Sequence, residues 1–404
     1  MPPARARSVA LRIFPVSVFL EGVPEPVAAS LVGRVEREGG GGVLLPGGRS
    51  GVGGAAALLT GGLESILAGL QKAARDETNK GAASRAAGPL SRVADATSPA
   101  PAPIDYQGKR LDFSGRPLIM GVLNITPDSF SDGGRYLHFE RAVERASQMI
   151  AQGADILDLG PASSRPGSDP VPDSVQEERL LPVLREIREG WNGWISVDTP
   201  SSRVARAAVD AGADMINDIS AGCMDPAMKD LAALEGVPVV LMHMKGTPKT
   251  MQQDPVYDSL FSELVEYFDE RIGAWTEAGV LRERILVDPG IGFGKALVHN
   301  LLLLKHLGEL RACGRPIVLG TSRKAFIGAV LKRDAGGRLL GTLATLAIGA
   351  WNGAHIMRVH DVAEAREVLA MVQAIRETDM RQSLDGRAEA GPAPPCARGQ
   401  ETSS

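Results

Sequence analysis

Between residues 105 and 380 short apolar runs alternate with amphipathic helical patterns, and this alternation constrains the fold more than any other feature of the chain. The apolar runs are PLIMGVLN, ILDLG, WISVDT, MINDIS, PVVLMHM, ILVDPG, PIVLGT and HIMRVH. The stretches between them include FERAVERASQMIAQG, SVQEERLLPVLREIREG, SRVARAAVDAG and DVAEAREVLAMVQAIRE. Strands that alternate with helices build βαβ units and a parallel sheet. Eight units in roughly 260 residues have the size and count of a (β/α)8 TIM barrel. A doubly wound sheet is the alternative, with fewer strands or less regular crossovers. The seventh unit carries an extra helix, because KAFIGAVLKRD is followed by RLLGTLATLAIGAWNGA.

The flanks read differently. Residues 1–78 form a small α+β segment, with strands expected in ARSVALRIFPVSV and GGGVLLPGG and helices in PEPVAASLVGRVERE and LESILAGLQKAARD. The Gly-rich stretch from Gly39 to Gly54 lacks the GxxxxGK[ST] spacing of a phosphate loop and reads as a flexible segment. Residues 79–104 are an Ala/Ser/Pro-rich linker, residues 105–380 the barrel and residues 381–404 a disordered tail. Arg5 and Arg7 precede an apolar run, but Arg12 and Pro15 interrupt it and no small-residue cleavage site follows, so no signal peptide is expected. No stretch approaches the roughly 20 apolar residues of a membrane span.

A net charge of −4 gives no electrostatic reason for a nucleic-acid partner. The three cysteines, Cys223, Cys313 and Cys396, are widely spaced and form no CxxC pair, which suits a reducing cytoplasm.

A buried parallel strand should read as nearly continuous apolar residues. Here the strand ends are polar. Asn124 ends the first run, Asp158 lies in the second and Asp198 closes the third. Asn217 and Asp218 interrupt the fourth, His243 lies in the fifth and Asp288 in the sixth. Ser322, Arg323 and Lys324 follow the seventh, and Arg358 and His360 close the eighth. In a barrel these ends converge on the catalytic face. One such residue is readily structural, since buried polar groups are normally satisfied by neighbours. The same bias in all eight runs points to a site.

Asp198, Asn217 and Asp288 are acceptors suited to a ring rich in N–H donors, such as a pterin or a guanine. Lys324, Arg323, Arg358 and His360 make a cationic side suited to a diphosphate or carboxylate. The SRK segment follows a strand and opens a helix, where backbone N–H groups bind anions. Two long polar loops, ITPDSFSDGGRYLH and PASSRPGSDPVP, follow the first two strands and are of the kind that closes over substrate.

At these residues the sequence resembles the dihydropteroate synthase family. MGVLNITPDSFSDGG (Met120 to Gly134) and DLGPASSRPG (Asp158 to Gly167) are similar to its first two signatures. SVDT, INDIS, LMHMKGTPKTMQ, DPGIGFGK, GTSRKAFIG and RVHDV follow in the family's order, and the likeness spans residues 110–378. The resemblance implies a TIM-barrel transferase of folate biosynthesis that joins a dihydropterin diphosphate to 4-aminobenzoate, with no nucleophile supplied by the protein. It implies Asp198, Asn217, Met242, Asp288, Phe293 and Lys324 at the pterin, with Lys324 also facing the aminobenzoate, and Asp198, Asp288, Lys324, Arg358 and His360 as the catalytic set. It implies Asn124, Arg358 and His360 at the diphosphate, Asn124 as a ligand of Mg²⁺, and Phe130, Ser164, Arg165, Pro166 and Ser322 around the aminobenzoate. Asp132 and Arg165 would complete the site on loop closure, and the enzyme would be a homodimer.

Where many family members carry Gly-Gly-Glu-Ser-Thr, this chain has Gly160, Pro161, Ala162, Ser163 and Ser164, which keeps a hydroxyl but lacks the glutamate. A pterin-binding methyltransferase domain is the other reading of the barrel, and an interaction module built on a degenerate barrel is the non-enzymatic one.

Overall fold

The computed structural model describes residues 16–23, 41–45, 55–61, 101–126, 135–162, 168–247, 250–251 and 255–378. Strands β1 (Val16–Val23), β2 (Gly41–Leu45) and β3 (Ala55–Gly61) form an antiparallel sheet in the order β1-β3-β2. β2 lies inside the Gly-rich stretch expected to be flexible. The two helices expected before residue 78, the linker at 79–100 and the tail after residue 380 lie outside the described residues.

An antiparallel hairpin of β4 (Ile104–Tyr106) and β5 (Lys109–Leu111) leads into the barrel. The barrel strands are β6 (Leu118–Asn124), β7 (Ile156–Gly160), β8 (Trp194–Asp198) and β9 (Met215–Asp218). They continue with β10 (Val239–Met242), β11 (Ile285–Asp288), β12 (Val318–Leu319) and β13 (Ile356–Val359). All pair in parallel in the order β11-β10-β9-β8-β7-β6-β13-β12, and the Val287–Ile317 bridge closes the ring. Each strand falls within one of the eight apolar runs of the sequence. The TIM barrel is therefore the fold, and a doubly wound sheet is excluded.

The helices are α1 (Arg135–Ala151), α2 (Asp173–Gly190), α3 (Ser202–Asp210), α4 (Ala227–Glu235) and α5 (Leu260–Glu277). α6 (Leu297–Lys305), α7 (Ala325–Leu331), α8 (Leu339–Trp351) and α9 (Val362–Glu377) follow. α7 and α8 both lie between β12 and β13, as expected for the seventh unit. α5 shows why such segments are helical. Its buried Leu264, Phe268, Ile272 and Trp275 recur at three- to four-residue spacing, which puts them on one face. The Trp275 indole N–H donates to the Ala221 carbonyl at 3.2 Å and so fixes the loop after β9.

The lower rim has a device that the sequence repeats as GAD, GAD and GAH. Asp155, Asp214 and His355 each stand just before a strand and accept the backbone N–H of the strand before it. The bonds are Ile119 N to Asp155 (2.7 Å), Ile195 N to Asp214 (2.9 Å) and Ile317 N to His355 Nδ1 (3.0 Å). Burial holds the His355 imidazole down to about 4, so it stays neutral and can accept. Asp214, with no exposed surface, also takes Lys109 of the hairpin at 2.6 Å and Arg188 of α2 at 2.5 Å. The hairpin therefore closes the N-terminal mouth of the barrel and leaves the opposite face for chemistry.

Removing one partner of such a buried ionic cluster strands the others. Asp214→Ala should lower unfolding stability by about 3–5 kcal/mol in urea titrations. An unchanged midpoint would contradict this account of the lower rim.

Candidate active site

Strand register puts the polar residues in one layer. Asn124 stands beside Gly160, Asp198 beside Asn217, and Met242 beside Asp288. One step lower, Asp158 and Ser196 are neighbours. Of the residues expected in the site, the structure gathers Asn124, Asp198, Asn217, Met242, Asp288, Phe293, Ser322, Lys324, Arg358 and His360 at the C-terminal ends of the strands. Phe130, Asp132, Ser164, Arg165 and Pro166 lie outside the described residues.

Arg358 joins this layer together. Its Nε donates to Asp158 Oδ2 at 2.6 Å and its Nη2 to Asp198 Oδ2 at 2.7 Å. Asn217 Nδ2 donates to the same Asp158 oxygen at 3.2 Å. The guanidinium expected on the anion side thus reaches two carboxylates of the acceptor side. Asp158 was legible as a polar strand residue, but its role as the shared anchor of Arg358 and Asn217 was not.

The charges do not balance. Asp158, Asp198, Asp218 and Asp288 interact with three cations, Arg358, Lys324 and Lys295. Burial first, then Asp158, Asp218 and Asp288, push the Asp198 carboxyl up to about 7 against the pull of Arg358. Burial raises Asp288 as well, although Lys324, the Gly290 N–H at 2.7 Å and Arg358 favour its charged form. Burial brings the Lys324 ammonium down to about 8, opposed chiefly by Asp288. Lys324 lies over the Phe293 ring, with Nζ 4.7 Å from the centroid, and donates to the Ile291 carbonyl.

The anion side differs from expectation at one residue. Arg323 turns away to Asp361, with its Nε 3.0 Å from Oδ2, and its side chain is 42% exposed. The backbone N–H groups of Arg323 and Lys324 are taken by Thr342 Oγ1 at 2.9 Å and the Thr321 carbonyl at 3.2 Å. The start of α7 therefore offers neither of these two N–H groups to a ligand. Ser322 is buried, with Oγ 2.9 Å from His360 Nδ1.

Two residues beyond the expected set stand behind the site. His243, a polar strand-end residue in the sequence, packs against Tyr267 and Phe268 instead of facing the layer. Its Nδ1 is 2.9 Å from the ammonium of buried Lys295. Burial holds His243 down to about 2 and Lys295 down to about 7. The lysine in DPGIGFGK was the available signal, because an isolated cation there has to be satisfied locally.

Asn124 is half-buried at the end of β6, and no described residue hydrogen-bonds to its amide. Among the described residues no group of three His, Cys, Asp or Glu side chains could hold a metal by itself.

The chain matches the family of pterin binding enzymes over residues 120–360. It is 47% identical over 270 residues to the dihydropteroate synthase of Escherichia coli K12, covering 66% of this chain and 94% of that protein. The Xanthomonas albilineans dihydropteroate synthase solved with 4-aminobenzoic acid superimposes with a TM-score of 0.65 at 40% identity, covering 69% of this chain and 100% of that one. The same enzyme in complex with 7,8-dihydropteroate gives 0.63 at 39% identity, with the same coverage. With this site on this barrel and these relatives, the chain belongs to the dihydropteroate synthase family.

Proposed function

We propose that the chain condenses 6-hydroxymethyl-7,8-dihydropterin diphosphate with 4-aminobenzoate, giving 7,8-dihydropteroate and diphosphate. The observation that carries this reading is the meeting of Asp198, Asn217 and Asp288 with Lys324 above the Phe293 ring. Acceptors for N–H groups, an aromatic face and a cation together suit a pterin. The relatives solved with 4-aminobenzoic acid and with 7,8-dihydropteroate support the same chemistry.

In this reading the carboxylates of Asp198 and Asp288 accept the pterin's ring and amino N–H groups, Asn217 and Lys324 bind its edge, and Met242 and Phe293 cover its faces. The exocyclic CH2–O bond breaks, and the electron pair leaves with the diphosphate. Asp198 and Asp288 stabilise the positive charge that develops on the pterin. Arg358, His360 and Asn124 hold the departing diphosphate. Ser322, held by His360, joins Phe130, Ser164, Arg165 and Pro166 in orienting 4-aminobenzoate. The nitrogen lone pair of the amine forms the new C–N bond, and the nitrogen then loses a proton.

The Asn124 amide oxygen, to which no described residue donates, suits Mg²⁺, which is commonly held by few protein ligands together with substrate phosphate oxygens. When bound, that ion would neutralise charge on the leaving diphosphate.

We also propose a homodimer. Leu297, Leu301, Val330, Leu340, Ile348 and Trp351 are exposed on the mutually packed helices α6, α7 and α8, and a second copy would cover them. Among the described residues no helix is long and apolar enough to cross a membrane, and Cys223 and Cys313 are not disulfide-bonded to each other. We assign the enzyme to the cytoplasm, which cell fractionation checks.

Diphosphate release from the pterin substrate should require 4-aminobenzoate, slow when a chelator removes Mg²⁺, and fall about 100-fold or more in Lys324→Ala. Release without the amine, or wild-type turnover in that variant, would sink the assignment. Sedimentation should give twice the chain mass, and Ile348→Glu should return it to one. A monomeric wild type would refute the dimer.

A further inference from the structure

The turn that carries Phe293 between β11 and α6 is bonded to a side chain at every residue from Gly290 to Gly294. The Gly290 N–H donates to Asp288 Oδ1 at 2.7 Å, and the Ile291 carbonyl accepts from Lys324. The Gly292 N–H donates to Asn300 Oδ1 at 2.7 Å. The Phe293 carbonyl accepts from Lys295 Nζ at 3.1 Å, and the Gly294 carbonyl from the Tyr257 hydroxyl at 2.7 Å.

Two of these residues could hardly be anything but glycine. Gly290 and Gly294 have φ of +66° and +62°. A Cβ on Gly290 would run into the His243 carbonyl oxygen, and one on Gly294 would stand 2.5 Å from the Lys245 carbonyl oxygen. The turn is thus pressed against the segment just after β10.

Asp288 and Lys324 already have roles at the pterin, but Lys295, Asn300 and Tyr257 have none. Lys295 and Asn300 are 2% exposed. Among the described residues Lys295 has no carboxylate partner in bonding distance. Its three donors meet His243 Nδ1 at 2.9 Å, the Phe293 carbonyl and, at 3.5 Å, the His243 carbonyl. Asn300 spends its amide N–H groups on the carbonyls of Lys295 (3.2 Å) and Ala296 (2.9 Å). Asp288 acts on the Lys295 ammonium only from beyond bonding distance. Burying an ammonium with no bonded carboxylate is costly, so its hydrogen bonds to the turn matter. Tyr257 holds the turn from outside and lies between Lys245, 4.3 Å from its ring centroid, and the His299 ring at 4.9 Å.

We infer that Lys295, Asn300 and Tyr257 are positioning residues, which clamp the Gly290–Gly294 turn so that the Phe293 ring is held ready for the pterin face before substrate arrives. This rests on the reading that Phe293 stacks on the pterin. Lys295, Asn300 and Tyr257 bond none of the residues assigned to the aminobenzoate, so loss of the clamp should fall on the pterin. A loss of global stability would affect both substrates.

Calorimetry with 6-hydroxymethyl-7,8-dihydropterin diphosphate, without amine, tests the clamp in the full chain alongside the KM for 4-aminobenzoate. Lys295→Met and Asn300→Ala should each raise the pterin Kd about tenfold, and Tyr257→Phe about threefold, with the aminobenzoate KM unchanged. Tyr257 is half-buried, so Tyr257→Phe decides the matter should the buried variants not fold. Phe293→Ala is the reference. If it leaves pterin affinity at the wild-type value, the stacking reading fails. If it weakens pterin binding while Tyr257→Phe and the other variants that fold do not, the clamp is overturned. Equal losses for both substrates would also overturn it.

Discussion

The Arg358 guanidinium is the contact on which the rest of the upper rim depends. From β13 it reaches past β6 to Asp158 on β7 and Asp198 on β8, and Asp158 in turn holds Asn217 on β9. One cation thus orders acceptor groups from three strands. Burying so many charges is tolerable only because they are paired and hydrogen-bonded. The pairing is incomplete, since four carboxylates share three cations. A ligand that offers N–H donors complements the surplus carboxylate, so the imbalance favours binding of a pterin-like ring.

The two ends of the barrel divide stability from function. At the lower rim, Asp155, Asp214 and His355 each accept a backbone N–H, and the two carboxylates also pair with Arg116, Lys109 and Arg188. At the upper rim, burial pushes Asp198 and Asp288 up and brings Lys324 down. Perturbed titrations of this kind collect where chemistry is done. Because the folded-state value of Asp198, about 7, lies above its ordinary 3.8, the fold favours the protonated acid. That stabilising contribution is full below about 3.8 and is lost as pH rises through about 7. Ionised Asp198 at neutral pH is therefore a strained partner, and a bound donor relieves it.

Much of this was legible in the sequence, for a physical reason. Buried parallel strands must be apolar, so the polar strand ends from Asn124 to His360 stood out against their background. Local pattern could not show which polar groups face each other. Arg323 and Arg358 look equivalent in sequence, yet the first pairs with Asp361 outside the cluster and the second crosses the barrel. His243 reads as another rim residue but turns back to Lys295, a contact set by a residue 52 positions away. The GAD and GAH repeats before β7, β9 and β13 were visible as text. Their meaning appears only when neighbouring strands are paired, because each side chain bonds a strand other than its own.

The central claim, that ionised Asp198 is a pterin acceptor in an unbalanced rim, is tested most directly by the pH dependence of pterin affinity. 6-Hydroxymethyl-7,8-dihydropterin has no phosphate to titrate, so calorimetry between pH 6 and 8 reads the protein. Its Kd should tighten as pH rises through about 7, and Asp198→Asn should flatten that dependence while weakening binding at pH 8. A wild-type Kd that does not change with pH, or the same slope in Asp198→Asn, would contradict the account.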